Sequence, residues 1–466
     1  MNANIYKLFR ERFPEDGKTP FLIPTEGAPL LYGDLDRRTA RMAGRLCAHG
    51  VEKGGRVAAQ VEKSPEAVLL YLACLRLGAV YLPLNTAYTA DEVAYFLQDA
   101  EPRVFIRHPQ ELNQDAPPFE DIAVMKEDNL AAILYTSGTT GRSKGAMISH
   151  GNLSSNALTL HRIWGWREGD MLLHALPIHH VHGLFTALHC ALLNGSSALF
   201  ATKFDAAEVI ALLPQATVMM GAPTYYARLL ERPELTPGLC ANMRLFISGS
   251  APLRLETFAA FKTRTGHEIL ERYGMTEAGM IASNPLEGGR VAGTVGYPLP
   301  DVKARVDAET GVLEIAGPNV FKGYWRAPEK TDQAFRPGGW FITGDLAEIS
   351  GDGRIAISGR ATDMIISGGL NIYPKEVEDR LDLLSGVKES AVFGVAHPDL
   401  GEAACAAIAP DGTAEITEEA VRSALDGKLA RFKIPKRVFL VDDMPRNAMG
   451  KTQKTKLRER YGGTFL

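Results

Sequence analysis

The chain has 466 residues, 45% of them hydrophobic and 23% charged, with a formal net charge of −4. That length exceeds one compact core and predicts two or more domains, while the slightly acidic balance speaks against a nucleic-acid binder. Five cysteines (Cys47, Cys74, Cys190, Cys240 and Cys405) are scattered without paired metal spacing, which fits a reducing compartment.

In chain order, the residues from Met1 to Lys18 carry charges throughout and lack the apolar stretch of a secretory leader. Val57–Val61 reads as a strand. Ser64-Pro65-Glu66 then supplies a cap, a first-turn proline and a first-turn acid for a helix that runs to Leu77 and ends at Gly78. The most apolar stretch, from Ala67 to Leu84, is broken by Arg76, Gly78 and Pro83 and is too interrupted for a membrane span. The expectation is a cytoplasmic enzyme. Further strands are expected at Ala131–Tyr135, Leu172–Leu176, Thr217–Met220 and Leu245–Ile247, with helices between them. This alternation predicts layered α/β architecture with largely parallel sheet. Past Gly293, Gly- and Pro-rich turns and short strands predict a small β-barrel-like region, with a turn at Asp352-Gly353. After Gly359-Arg360 comes a last segment of domain size. The expected division is a large N-terminal domain over 1–361 and a small, mobile α+β C-terminal domain over 362–466.

The strongest local signal is Tyr135-Thr-Ser-Gly-Thr-Thr-Gly-Arg-Ser-Lys-Gly145. Thr136, Ser137, Gly138, Thr139, Thr140 and Gly141 follow an apolar strand. Small and hydroxyl residues there let the backbone wrap an anion, and Lys144 adds a point charge. The spacing differs from a Walker A loop, because Arg142-Ser143 separates Gly141 from the lysine.

Together with Ser248-Gly-Ser-Ala-Pro252, Tyr273-Gly-Met-Thr-Glu277, Thr343-Gly-Asp345, Gly359-Arg360 and Pro445-Arg-Asn-Ala-Met-Gly-Lys451, in that order, this loop resembles the adenylate-forming superfamily. Its members are acyl-CoA synthetases, luciferases and peptide-synthetase adenylation domains, and the resemblance covers nearly the whole chain. It implies an acid–thiol ligase that uses ATP, Mg²⁺ and coenzyme A. Thr276 would contact the α-phosphate, and Glu277 would hold the metal. Gly249, Ser250, Ala251, Tyr273, Gly274 and Met275 would frame the nucleotide, with Asp345 and Arg360 at the ribose. Lys451 would serve adenylation. Thr362 falls at the hinge about which the family turns its small domain, where many relatives carry Asp or Lys. Ser367, Gly368 and Gly369 would line the pantetheine tunnel.

Substrate choice is read from further stretches. Pro177-Ile-His-His-Val-His-Gly183, Met220-Gly-Ala-Pro-Thr-Tyr-Tyr-Ala-Arg228 and Glu271-Arg-Tyr-Gly-Met-Thr-Glu277 resemble the malonate-specific acyl-CoA synthetases. That likeness implies His182, Arg228 and Ser250 as partners of a distal carboxylate. A guanidinium can clamp a carboxylate bidentately. The expected substrates are malonate, with methylmalonate as a further acid, and CoA. Relatives with a segment similar to Pro445–Lys451 suggest a lysine acetyltransferase acting on Lys451 as a candidate partner; nucleic acid and membrane are not expected partners. The alternatives are a short-chain monocarboxylate–CoA ligase and a non-catalytic nucleotide-binding regulator. A zinc site at His179-His180-Val181-His182 lacks a fourth ligand nearby.

Overall fold

A computed structural model describes residues 2–136, 143–447 and 450–465. It divides into two compact units: Met1–Ala304 with Ile315–Phe341, and Arg305–Glu314 with Ile342–Leu466. The architecture is mixed α/β, as the alternation of strand and helix signals predicts.

The first unit holds two sheets. In one, Val104–Ile106, Arg56–Ala59, Val80–Pro83 and Leu130–Thr136 lie parallel in that order, and Lys144–Ser149 closes the row antiparallel to Leu130–Thr136. The other has nine strands. Its parallel centre runs Leu270–Met275, Leu245–Ser248, Val218–Gly221, Met171–His174, Ser197–Phe200 and Pro20–Pro24. Antiparallel pairs stand at both edges. Apart from Leu270–Met275, which carries Glu271 and Arg272, these central strands are largely apolar and buried, as a sheet covered on both sides requires.

The helix Pro65–Leu77 shows how local signals and burial agree. Ser64 Oγ accepts from the Ala67 N–H at 3.2 Å, and Gly78 ends the helix at φ 73°. Every residue from Ala67 to Leu77 is buried. A helix apolar on all sides belongs inside the protein, which explains the longest apolar stretch without a membrane. Among the described residues, no helix is long and apolar enough to cross one.

In the second unit, Asp345–Ile349 of the strand Trp340–Ile349 pairs antiparallel with Ile355–Arg360 around the Asp352-Gly353 turn, where Gly353 takes φ 90°. A further sheet is built on the long antiparallel pair Val387–His397 and Gly401–Pro410. Ile365–Ser367 pairs antiparallel and Arg437–Leu440 parallel with Gly401–Pro410, at different points along it. Thr362 lies exposed in the short 3₁₀ turn Ala361–Asp363.

Candidate active site

In the first unit, the expected phosphate cradle is bounded by a cross-strand pair. Thr136 ends one strand and Lys144 opens the next, directly opposite. Ser137, Gly138, Thr139, Thr140 and Gly141 lie outside the described residues. Thr276 and Glu277 sit in the tight turn between Leu270–Met275 and Gly279–Ser283. The turn needs the small Gly274, because a Cβ there would stand 2.3 Å from the Gly279 carbonyl oxygen. Thr136 Oγ1 donates to Glu277 Oε1 at 3.2 Å, so the end of that strand and the acid meet.

Glu277 is buried. Among the described residues, no group of three or more His, Cys, Asp or Glu could hold a metal. One acid with a neighbouring hydroxyl is not a protein cage. It is the donor set that suits Mg²⁺, which takes one or two carboxylates and completes its shell with water and substrate phosphates.

The expected acid-binding residues separate into two places. His182 opens a π-helical turn, His182–Ala187, a distortion common at functional sites. It is fully buried, and Ser250 Oγ lies 3.3 Å from its Nδ1. Ser250 reaches that position with φ 76°, a left-handed conformation unusual for serine. Its neighbours Gly249 and Ala251 stand beside it in the chain, and Tyr273 with Met275 lies on the strand that carries Arg272. Burial pushes the His182 imidazole well below its ordinary pKa, and the Arg272 guanidinium adds to this, so the ring is neutral at physiological pH. Its Nε2 is buried without a hydrogen-bond partner among the described residues. Arg228, by contrast, is exposed on the helix Pro223–Leu230. Tyr226 and Leu229 turn inward from that helix, which puts Arg228 on another face.

Arg272 is the residue the motif reading passed over. It is 3% exposed, yet its Nε and Nη2 have no hydrogen-bond partner among the described residues. Burial pulls its pKa down to about 9, opposed by Tyr226. That still leaves it charged at neutral pH. A Cβ on Gly249 would stand 2.4 Å from Arg272 Cζ, so the guanidinium lies against the bare backbone of the Ser248–Pro252 motif. A buried cation without a partner is costly, and an incoming anion removes that cost. A usable sequence signal exists. Glu271 and Arg272 are adjacent in a buried strand, and adjacent strand residues face opposite sides, so one of two charges must point into each side.

In the second unit, Asp345 and Arg360 are cross-strand partners 2.7 Å apart. Asp345 is buried, which separates this pair from an ordinary surface ion pair. Lys451 follows Gly450, and its backbone N–H donates to Asn447 Oδ1 at 3.0 Å. Its ammonium is held below the ordinary lysine value by crowding and then by Arg360, against the pull of Asp345 and Asp363, although the residue as a whole keeps solvent contact. Ser367 is buried, while Gly368 and Gly369 are exposed and both take positive φ.

A cavity of about 340 Å³, lined by residues including Lys53, Arg56, Met125 and Trp325, is a poorer candidate. Its cations are already engaged, Lys53 by the Val124 carbonyl and Arg56 by those of Ala100 and Glu101.

The profile of the AMP-binding enzyme family matches residues 9–325, and that of its C-terminal domain matches residues 376–451. A malonate–CoA ligase of Arabidopsis thaliana is 33% identical over 98% of this chain and 89% of its own. A feruloyl-CoA synthase of an Amycolatopsis species is also 33% identical, over 94% and 95%. Among solved structures, the ATP-bound MatB of Rhodopseudomonas palustris is 47% identical, with a TM-score of 0.97 over 100% of both chains. The chain thus belongs to the AMP-binding enzyme family, the adenylate-forming superfamily its motifs resemble, and is an AMP-forming acid–thiol ligase.

Proposed function

We propose that this enzyme is an ATP-dependent malonate–CoA ligase. It would convert malonate and ATP to malonyl-adenylate and pyrophosphate, and then transfer the malonyl group to CoA with release of AMP. Identity to relatives does not choose the acid, since ligases named for malonate and for ferulate stand at the same level. The observation that carries the reading is the buried Arg272 guanidinium, whose Nε and Nη2 have no partner among the described residues, beside His182 and Ser250. A ferulate or a short monocarboxylate would leave that charge unpaired. A dicarboxylate brings one carboxylate to react and a second to neutralise it.

In this reading Arg272, neutral His182 and Ser250 hold the distal carboxylate. Arg228 remains a candidate for the same role on the likeness of its segment, with the weaker geometric claim, because an exposed guanidinium gains little from one more anion. The proximal carboxylate attacks the α-phosphorus of ATP, and pyrophosphate leaves. Thr276 donates to the α-phosphate, and Lys144 and Lys451 offset the charge that gathers in that step. Glu277 would hold Mg²⁺, which supplies Lewis-acid stabilisation to the phosphates. Asp345 accepts from the ribose hydroxyls, with Arg360 paired to it. In the second half-reaction the CoA thiolate attacks the acyl carbonyl and AMP departs. The division into domains at Thr362, with a turn of the smaller one between half-reactions, belongs to the same proposal.

The direct test is ATP- and CoA-dependent AMP release with malonate, methylmalonate, propionate, acetate and ferulate. Malonate should have the highest kcat/KM, by at least about tenfold over propionate. Equal or better use of propionate or ferulate would overturn the assignment of a dicarboxylate.

A further inference from the structure

Neither the motif reading nor the proposed chemistry uses Tyr324. It lies in a short segment that runs antiparallel beside Lys144–Ser149. The Met147 N–H donates to the Gly323 carbonyl at 3.0 Å, the Trp325 N–H to the Gly145 carbonyl at 2.7 Å, and Ala146 and Tyr324 form an isolated bridge. Its own N–H donates to Thr331 Oγ1 at 2.9 Å. The backbone at Tyr324 is therefore pinned on both sides.

From this position the side chain touches two groups of the proposed reaction. Its hydroxyl donates to Glu277 Oε1 at 3.2 Å, the same oxygen that accepts from Thr136. The Lys144 ammonium stands 5.0 Å from the centroid of its ring. A hydroxyl donating to a carboxylate fixes its rotamer. An aromatic face beneath an ammonium holds that charge without neutralising it. A packing role alone would not require either polar contact.

We infer that Tyr324 is a positioning residue that aligns Glu277 for the divalent cation through its hydroxyl and Lys144 for the phosphates through its ring. This rests on the reading of Glu277 as the Mg²⁺ ligand. Partners of ligating carboxylates typically change metal affinity by about 10–100-fold when removed.

The test is calorimetric binding of ATP to the full chain over a series of Mg²⁺ concentrations, without acid or CoA. Tyr324→Phe keeps the ring and removes the hydroxyl. It should raise the Mg²⁺ needed for half-maximal ATP affinity by about tenfold. Metal-free ATP binding and the malonate KM at saturating Mg²⁺ should not change. Tyr324→Leu removes the ring as well, and should in addition weaken metal-free ATP binding several-fold. An unchanged Mg²⁺ requirement in Tyr324→Phe would overturn the role of the hydroxyl. Unchanged metal-free binding in Tyr324→Leu would overturn the role of the ring. Glu277→Gln separates this inference from the reading beneath it. If that variant also keeps the wild-type Mg²⁺ requirement, the metal assignment of Glu277 fails. If it shifts the requirement and Tyr324→Phe does not, only the inference about Tyr324 fails.

Discussion

Arg76 and Arg272 are both withdrawn from water, at 1% and 3% exposure, but their surroundings differ. Arg76 sits in the buried helix Pro65–Leu77. Its Nε donates to the carbonyls of Phe119 and Asp121 at 2.8 and 3.1 Å, and its Nη1 to Asp36 Oδ1 at 2.6 Å. Arg272 sits in the central sheet, and two of its three nitrogens have no partner among the described residues. A guanidinium satisfied by its own fold is a structural tie. One left unsatisfied beside a neutral histidine and a backbone-strained serine is what the proposed acid site requires. Burial by itself does not separate the two cases; the account of hydrogen bonds does.

The largest effect that would break this contrast is Arg272→Met. Losing one member of a buried charged pair costs about 2–5 kcal/mol. The kcat/KM for malonate should therefore fall about 30-fold to several thousand-fold, while propionate is unaffected or used better. Because the empty site contains an uncompensated charge, the same change should leave Tm unchanged or raise it. Parallel losses for both acids, with a lower Tm, would make Arg272 a structural residue like Arg76.

Arg76→Met should give the opposite pattern. Carbonyls at Phe119, Glu120 and Asp121 lose their donor and Asp36 loses a partner, so stability should drop by about 3 kcal/mol. In denaturant titration the midpoint should move. The malonate-to-propionate ratio of kcat/KM should stay at the wild-type value in the protein that remains folded. A changed ratio would show that the ligand site extends to this helix.

The smallest effect sharpens the contrast rather than breaking it. Arg228→Ala removes an exposed cation, worth under about 1 kcal/mol, so malonate kcat/KM should change by less than about fivefold. Steady-state assays beside Arg272→Met decide between the two arginines. A loss for Arg228→Ala as large as that for Arg272→Met would return the clamp to the helix Pro223–Leu230.

Much of the fold was legible in the chain because its signals are local. Ser64, Pro65 and Gly78 mark a helix that the structure starts and stops at those residues. The strands expected at Ala131–Tyr135 and Leu245–Ile247 recur as Leu130–Thr136 and Leu245–Ser248. The Asp352-Gly353 turn joins the pair that brings Asp345 to Arg360. Motif order likewise carried the family, since each motif is a contiguous run whose residue types follow from phosphate and metal chemistry.

Local signals along the chain thus carried several of its elements, the family and the contiguous motifs. Which cation is buried without a full set of partners was decided only by the packed fold. Arg228 stands out in the chain because its helical neighbours are apolar, yet that helix presents it to solvent. Arg272 is inconspicuous next to Glu271, yet the sheet turns it inward against Gly249 and toward His182, residues 23 and 90 positions away in the chain. Tyr324 meets Glu277 and Lys144 in the same way, across 47 and 180 positions. Exposure and hydrogen-bond satisfaction depend on which distant segments surround a side chain, and neighbours along the chain do not encode that. A local pattern can show that a charge is present, but only the packed fold shows whether that charge has lost its water and still lacks a partner.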